Sequence, residues 1–268
     1  MAIRKVSIEL WAALKPLVPK FILSCKGRRR RSVGDRAALN GFLHVLQTGI
    51  AWEDLPQALG FGSGMTCWRR LRDWQAAGVW TKLHLALLQP LREHDQIGWS
   101  RASIDGASVA SPRGGSETGP NPTDRGKLGS KRHIVVDARG IPLSITVTGT
   151  NRHNSFVFES TLEAVPAVRG LKGQPRKRPQ KLHADKGYDY ARCRQYLRRR
   201  GIIARIARKG IESKDRLGRH RWVVERTHAW FAAFSELRIR FERRLDIHTA
   251  LLSLAAAIIC PRFVDDLC

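Results

Sequence analysis

The chain has little with which to staple or anchor itself. Its five cysteines, Cys25, Cys67, Cys193, Cys260 and Cys268, are odd in number, scattered and without a Cys-x-x-Cys pair, which argues against a disulfide framework and a structural zinc site. Long apolar runs are missing too. The cleanest one, "ALLSLAAAIIC" from Ala250 to Cys260, falls far short of the roughly 20 residues of a spanning helix and reads as a buried terminal helix. "MAIRKVSIELWAALKPLVP" is broken by charge and proline before a secretory apolar segment forms, so a cytoplasmic protein without a membrane partner is expected. Acid is scarce as well: 23 Asp and Glu stand against 48 Lys and Arg, leaving +25. The excess is spread, with 15 basic and 7 acidic residues in 1–95 and 33 and 16 in the remainder. Such a chain repels itself unless a polyanion is near, and nucleic acid is the partner the charge points to.

A 43% hydrophobic content over 268 residues supplies a core for one large domain or two ordinary ones. The first third reads as helices. From Asp35 to Gln47, Leu39, Phe42 and Leu46 recur at helical spacing and Gly49 ends the run. In "SGMTCWRRLRDWQAAGVW", Thr66 reads as the N-cap, Cys67, Leu71 and Trp74 form an apolar stripe, and Gly78 stops the helix. Arg69, Arg70 and Arg72 lie largely off that stripe and are the candidate DNA contacts. Two helices joined by a Gly/Pro-containing connection suit a helix-turn-helix-like reader; a helical bundle with a solvated basic face is the alternative. "KGRRRRS" adds Arg28, Arg29, Arg30 and Arg31, either as a solvated linker or as a basic arm along phosphates.

Near residue 100 the periodicity changes. "RASIDGASV", then "HIVVD" and "IPLSITVTG" joined by an Asp-Ala-Arg-Gly turn, then "KLHAD" and "GIIARIA" read as strands. "SFVFESTLEAVPAV", "YARCRQYLRRR" and "HRWVVERTHAWFAAFSELRIRFERR" read as helices between and after them. A hairpin followed by strand and helix alternation predicts a mixed α/β sheet with flanking helices. The organisation expected is a helical DNA-binding region over 1–95 and an α/β region over 100–268. Two Gly/Pro-rich stretches, "SPRGGSETGPNPTDRGKLGS" and "RGLKGQPRKRPQK", read as loops. Lys127, nearby Lys131, and Arg176, Lys177 and Arg178 are further candidate DNA contacts there, with Lys186.

Three carboxylates carry the chemical reading. Asp105 interrupts the small and β-branched strand "SIDGASV", and Asp185 leaves the end of the alternating strand "KLHAD" ahead of a glycine. Glu225 sits about two hundred degrees from Val223 around its helix, off the stripe of Val223, Thr227, Trp230, Phe234, Leu237 and Phe241. Arg221, one turn earlier, shares its side. Acids from two strands and a helix are what a pair of Mg²⁺ ions requires, Mn²⁺ being a substitute, and two such ions serve in-line phosphoryl displacement. The competing reading is that each acid caps a turn or pairs with one of the many basic side chains. Asp137, in the hairpin turn, is assigned to turn chemistry.

In order along the chain, "GIAWEDLP", "TCWRRLRDWQAAGVW", "SIDGASV", "GPNPTDRGKLGSKRHIVVDARGIPL", "HADKGYD" and "RWVVERTHAWF" resemble the DDE transposases of bacterial insertion sequences, close to the insertion sequence 5 family. The likeness runs from about Arg36 to Phe241. It implies a ribonuclease-H-like fold, an acidic triad of Asp105, Asp185 and Glu225, and N-terminal helices that read terminal inverted repeats. Relatives in the wider group carry a Tyr, Arg, Glu, Lys signature around the last acid. Arg221 and Glu225 fit it, whereas Gly218 and Ala232 stand at its ends, so the Tyr and Lys roles are not carried over. Only 39 residues separate Asp185 from Glu225, which leaves no room for the large β insertion of some relatives.

The expected function is binding of terminal repeats and metal-dependent cleavage and strand transfer of double-stranded DNA, by a homo-oligomer on that DNA. A nuclease without strand transfer and an inactive DNA-binding repressor are the rivals. Arg221 is expected to hold the scissile phosphate, against an intrahelical ion pair with Glu225; Lys186 or the arginines at 240, 243 and 244 are the alternative clamps.

Overall fold

The computed structural model describes residues 6–20, 33–210 and 214–260, and of residues 214–220 the backbone alone. The Arg28 to Arg31 run lies outside the described residues. Four helices come first: α1 (Ile8–Leu14), α2 (Asp35–Thr48), α3 (Gly64–Ala76) and α4 (Val79–Glu93). α2 ends where expected, on Gly49 in the left-handed conformation at φ 71°. α3 is capped by Ser63, whose hydroxyl accepts from Thr66 N at 3.2 Å, so the cap sits three residues before the one read from the sequence. Residues 49–63 join α2 to α3 through two 3-10 turns, a longer connection than the three or four residues of a helix-turn-helix. Phe42, Trp74 and Trp80 pack edge to face in the centre, with Cys67, Leu71 and Trp74 inward as the stripe required.

The second region is built on strands β1 (Ala102–Ala110), β2 (Gly119–Pro120), β3 (Leu128–Asp137), β4 (Pro142–Gly149), β5 (Lys181–Ala184) and β6 (Ile203–Ile206). β3 pairs antiparallel with β1 on one side and with β4 and the short β2 on the other; β5 then joins β1 in parallel, and β6 joins β5 in parallel. Three long antiparallel strands with the short β2 at their edge, continued by two parallel ones and flanked by helices, are a ribonuclease-H-like mixed sheet. β2 lies inside the stretch read as wholly irregular. α5 (Phe158–Glu163), α6 (Ala191–Arg199), α7 (Lys214–Ala232) and α8 (Leu245–Ile259) complete the fold. α5 is shorter than its apolar pattern suggested, because a 3-10 turn at Asn154–Phe156 precedes it and Pro166 follows. α7 stops at Ala232, so Phe234, Leu237 and Phe241 are not on its stripe and Phe241 is exposed.

α8 is the apolar run noted above, buried along nearly its whole length. It packs against α2, α3 and α4 as well as α7 and β4, so one continuous core passes from the N-terminal helices into the sheet. Cys67, Cys193 and Cys260 are buried free thiols, and no described helix is long and apolar enough to cross a membrane.

The β3–β4 turn is tied down by Asp137. Its carboxylate is almost fully buried and accepts from Arg139 N (2.9 Å) and Ile141 N (2.7 Å) within the turn, and from Gly98 N (2.7 Å) in the segment between α4 and β1. This is turn chemistry with a second anchor that the sequence does not show. Asp137→Ala is therefore expected to cost about 2–4 kcal/mol by leaving several buried donors unmet, with Asp137→Asn costing less. Urea unfolding at neutral pH measures it; a loss within about 0.5 kcal/mol, as for ordinary surface changes, would show that the turn holds without the carboxylate.

Candidate active site

Strand alternation sends Asp105 to the face of the sheet covered by α7, the same face as Arg132 across the ladder, whose guanidinium stacks on Phe231 of α7 at 4.7 Å. α7 is set on that face by the hairpin turn. Thr227 Oγ1 donates to Gly140 O at 2.8 Å, and the Arg226 guanidinium donates to Arg139 O. Glycine is favoured here: the φ of Gly140 is +95°, strained for other residues, and a Cβ would lie 3.0 Å from Arg226 Nη2 and 3.1 Å from Thr227 Oγ1. With α7 held there, Arg221 Nη2 stands 3.8 Å from Asp105 Oδ2 and 4.0 Å from Glu225 Oε1. Asp185 closes the group from the end of β5, its Oδ1 accepting from Gly187 N at 2.9 Å to cap the turn that follows.

The electrostatics follow from this crowding. Burial pushes the Asp105 carboxyl up to about 6; its backbone hydrogen bond and Arg221 pull it down, while Asp185 and Glu225 push it further up. Asp105 and Arg221 are 17% exposed and Glu225 is 61% exposed, so the helix acid faces solvent at the edge of the group. Two neighbours were not singled out from the sequence. Tyr188 is fully buried with its hydroxyl unpartnered, and its pKa is driven well above the ordinary value by burial and then by Asp105 and Asp185. His228, one turn beyond Glu225, lies beside the Asp105 backbone carbonyl and is kept neutral, pushed down to about 3 chiefly by burial and then by Arg132. The tyrosine in "HADKGYD" and the histidine at i+3 from Glu225 were visible as letters, but their placement depends on contacts across the sheet.

Among the described residues no three His, Cys, Asp or Glu side chains stand close enough to hold a metal ion as they are placed. The donor chemistry nevertheless fits a hard divalent cation: the three acids offer carboxylate oxygens, one of them on an exposed side chain. Arg221 meanwhile supplies positive charge between Asp105 and Glu225.

The other sequence candidates are dispersed. Arg69 is exposed and Arg72 pairs with Asp73 while stacking on Trp68. Arg70 turns inward instead of outward, 8% exposed, donating to Val33 O at 2.9 Å and standing 3.4 Å from Asp35. Lys127 is exposed beside Asp124, and Lys131 donates to Arg152 O, burial lowering its pKa. Arg176 packs over Trp99, Lys177 pairs with Glu163, and Arg178 is exposed with one bond to Arg200 O. Lys186 follows Asp185 and is half-buried. Of the alternative clamps, Arg240 is a core residue, 1% exposed and bonded to Ser130 Oγ at 2.7 Å.

Residues 100–260 match the family model "Transposase DDE domain", and residues 6–84 match "Putative transposase of IS4/5 family". The chain belongs to the DDE transposases of the IS4/5 family. It is 52% identical over 147 residues, 55% of this chain and 70% of the relative, to the "Putative transposase for insertion sequence element IS402" of Burkholderia cepacia. A 16.2 kDa uncharacterized protein of the same element is 50% identical over 119 residues, 42% of this chain and 78% of the relative. The "Transposase for insertion sequence element IS1106" of Neisseria meningitidis serogroup B is 27% identical over 134 residues, 48% of this chain and 43% of the relative.

The raised pKa of Asp105 has a consequence for a DDE transposase without metal. Between the unfolded value of 3.8 and the folded value of about 6, unfolded chains release this proton and folded ones keep it, so stability falls as pH rises through that window and is level above it. Asp105→Asn, which never ionises, is expected to match the wild type near pH 4 and to exceed it by on the order of 1–3 kcal/mol above pH 6. Thermal and urea melts in EDTA across that range test it. An Asn variant less stable at pH 7.5 would mean that Arg221 outweighs the burial of the carboxylate.

Proposed function

We propose that this DDE transposase binds the terminal inverted repeats of its own insertion sequence and catalyses their cleavage and transfer to target DNA, with Asp105, Asp185 and Glu225 as the acidic triad. The convergence of these acids with Arg221 on one side of a ribonuclease-H-like sheet is the observation that carries the reading. The triad would hold divalent ions, Mg²⁺ with Mn²⁺ as a substitute. When bound, such ions activate an attacking oxygen and stabilise the leaving one. The protein's own part is placement. β1 and β5 fix two carboxylates, α7 brings the third, and Glu225 turns inward from its exposed position. Arg221, with a planar and permanently charged fork, is then released from Asp105 to meet the phosphate. The nucleophile is water first and then a freed 3′-hydroxyl, without a covalent protein intermediate.

Residues 1–95 are proposed as the part that reads the element ends, through Arg69, Arg72 and the run at 28–31. Lys127, Lys131, Arg176, Lys177, Arg178 and Lys186 are proposed to follow phosphates from the catalytic region. Work on both ends and a target at once favours a homo-oligomer on DNA, acting in the cytoplasm at the nucleoid.

The test is to incubate the full chain with linear DNA carrying the native element ends, with and without Mg²⁺, and map the products. A labelled 3′-end joined to target DNA supports the proposal; hydrolysis without joining makes the protein a nuclease, and end binding without nicking makes it a repressor. Asp105→Ala, Asp185→Ala and Glu225→Ala are each expected to lower cleavage at least about a hundredfold while DNA binding survives on the basic surface. Arg221→Ala is expected to lose a similar factor and Arg221→Lys to recover part of it. Near-normal cleavage by the alanine variant would leave Arg221 a structural partner of Asp105 and Glu225.

A further inference from the structure

Beside Asp185 the chain carries a patch of exposed aromatic rings, Tyr190 and Phe156. The turn begun by Asp185 reaches Tyr190 in two backbone bonds, Tyr188 N to Asp185 O (3.1 Å) and Tyr190 N to Tyr188 O (2.9 Å). Tyr190 is 40% exposed and meets the His153 ring edge-on, with centroids 5.4 Å apart. His153 belongs to the loop after β4, which also presents Phe156, 65% exposed. These side chains, with Ser155, Ala191 and Arg192, line an open depression of about 400 Å³.

Cations stand on both rings. Lys209 Nζ is 4.4 Å from the Tyr190 centroid and the Arg192 guanidinium 5.4 Å from that of Phe156. Arg192 is held in place by donating to Ser155 O and by Glu159 at 3.6 Å. Alternating rings and cations form the surface on which unpaired nucleic acid binds: each base offers a π face to a ring, and the cations take the phosphates between. A base within a duplex already has both faces stacked and cannot use it.

We propose that Phe156 and Tyr190 form a stacking platform for an unpaired DNA base beside the acidic group that includes Asp185. The platform deepens the proposed function and rests on it for its place in the reaction. It would hold open the strand being cut or joined, with Arg192 and Lys209 on the neighbouring phosphates.

The test uses the full chain in EDTA, so that no cleavage intervenes, and a synthetic duplex with a short single-stranded overhang carrying 2-aminopurine, beside the blunt duplex. Wild type is expected to quench the 2-aminopurine and to bind the overhang DNA about fivefold or more tighter than the blunt one. Tyr190→Ala and Phe156→Ala should lose the quenching and bring that ratio near one, whereas Tyr190→Phe should keep both. Tyr190→Leu and Phe156→Leu retain apolar bulk; their sharing the loss assigns it to the missing ring and not to misfolding. Quenching that survives the alanine or leucine variants, or a wild type that binds both DNAs equally, overturns the platform. Because this readout needs neither metal nor cleavage, its failure leaves the acidic triad standing. An Asp185→Ala protein that still cleaves would overturn the triad and leave the platform's binding intact.

Discussion

Two backbone carbonyls, those of Arg139 and Gly140, decide where the acidic cluster forms. They belong to the β3–β4 turn and receive the side chains of Arg226 and Thr227, the two residues that follow Glu225. A helix fixed at that point has no freedom to slide along the sheet, so Arg221, Glu225 and His228 take their places over β1 together. The turn is in turn set by the buried Asp137 carboxylate, which also reaches Gly98 at the entrance to β1. The strand that carries Asp105 and the helix that carries Glu225 are thus referred to the same few backbone atoms. Arg226, lying between the rings of Trp222 and Trp230 at 4.6 Å from each, stiffens the contact.

That framework brings like charges together in a chain whose overall excess is positive. Asp105 sits high in pKa because burial and two other carboxylates oppose its ionisation. Arg221 relieves this only in part, 3.8 Å from Asp105 and 4.0 Å from Glu225 without a close hydrogen bond to either, and its Nε is buried without a partner. A cluster optimised for stability would have been closed by short hydrogen bonds, as between Arg194 and Asp189, where Nε and Nη2 both donate to Oδ1 at 3.0 Å and 2.7 Å. The loose arrangement is what the proposed role requires, carboxylate oxygens open to cations and a guanidinium open to phosphate, gained at some loss of stability.

The three candidate acids stand out in the sequence because each breaks a local pattern. Asp105 interrupts a strand of small residues, Asp185 ends an alternation, and Glu225 stands off an apolar stripe; such breaks need no knowledge of the tertiary fold. The sheet order was readable to the level of a hairpin followed by alternation, since β3 and β4 join through an obvious turn. Arg70 shows the limit of the same reasoning. It lies off the stripe of α3, yet Val33 and Asp35, far away in sequence, draw it inside. Ser63 won the cap over Thr66 because the helix begins at Gly64, whose missing Cβ lets Trp52 O approach to a distance no other residue permits. Tyr188 and His228 acquire meaning only through neighbours on other strands, and no spacing along the chain announces them.

Metal binding itself is the quantity on which the triad stands. Titration of the full chain with Mn²⁺, followed by the paramagnetic signal of the free ion in the presence of uncleavable DNA, measures it without reference to catalysis. Asp105→Asn, Asp185→Asn and Glu225→Gln are each expected to weaken Mn²⁺ binding by about tenfold or more, because each removes a charged oxygen ligand from a small set. Undiminished Mn²⁺ affinity in any one of the three would remove that residue from the triad and contradict the assignment of the site.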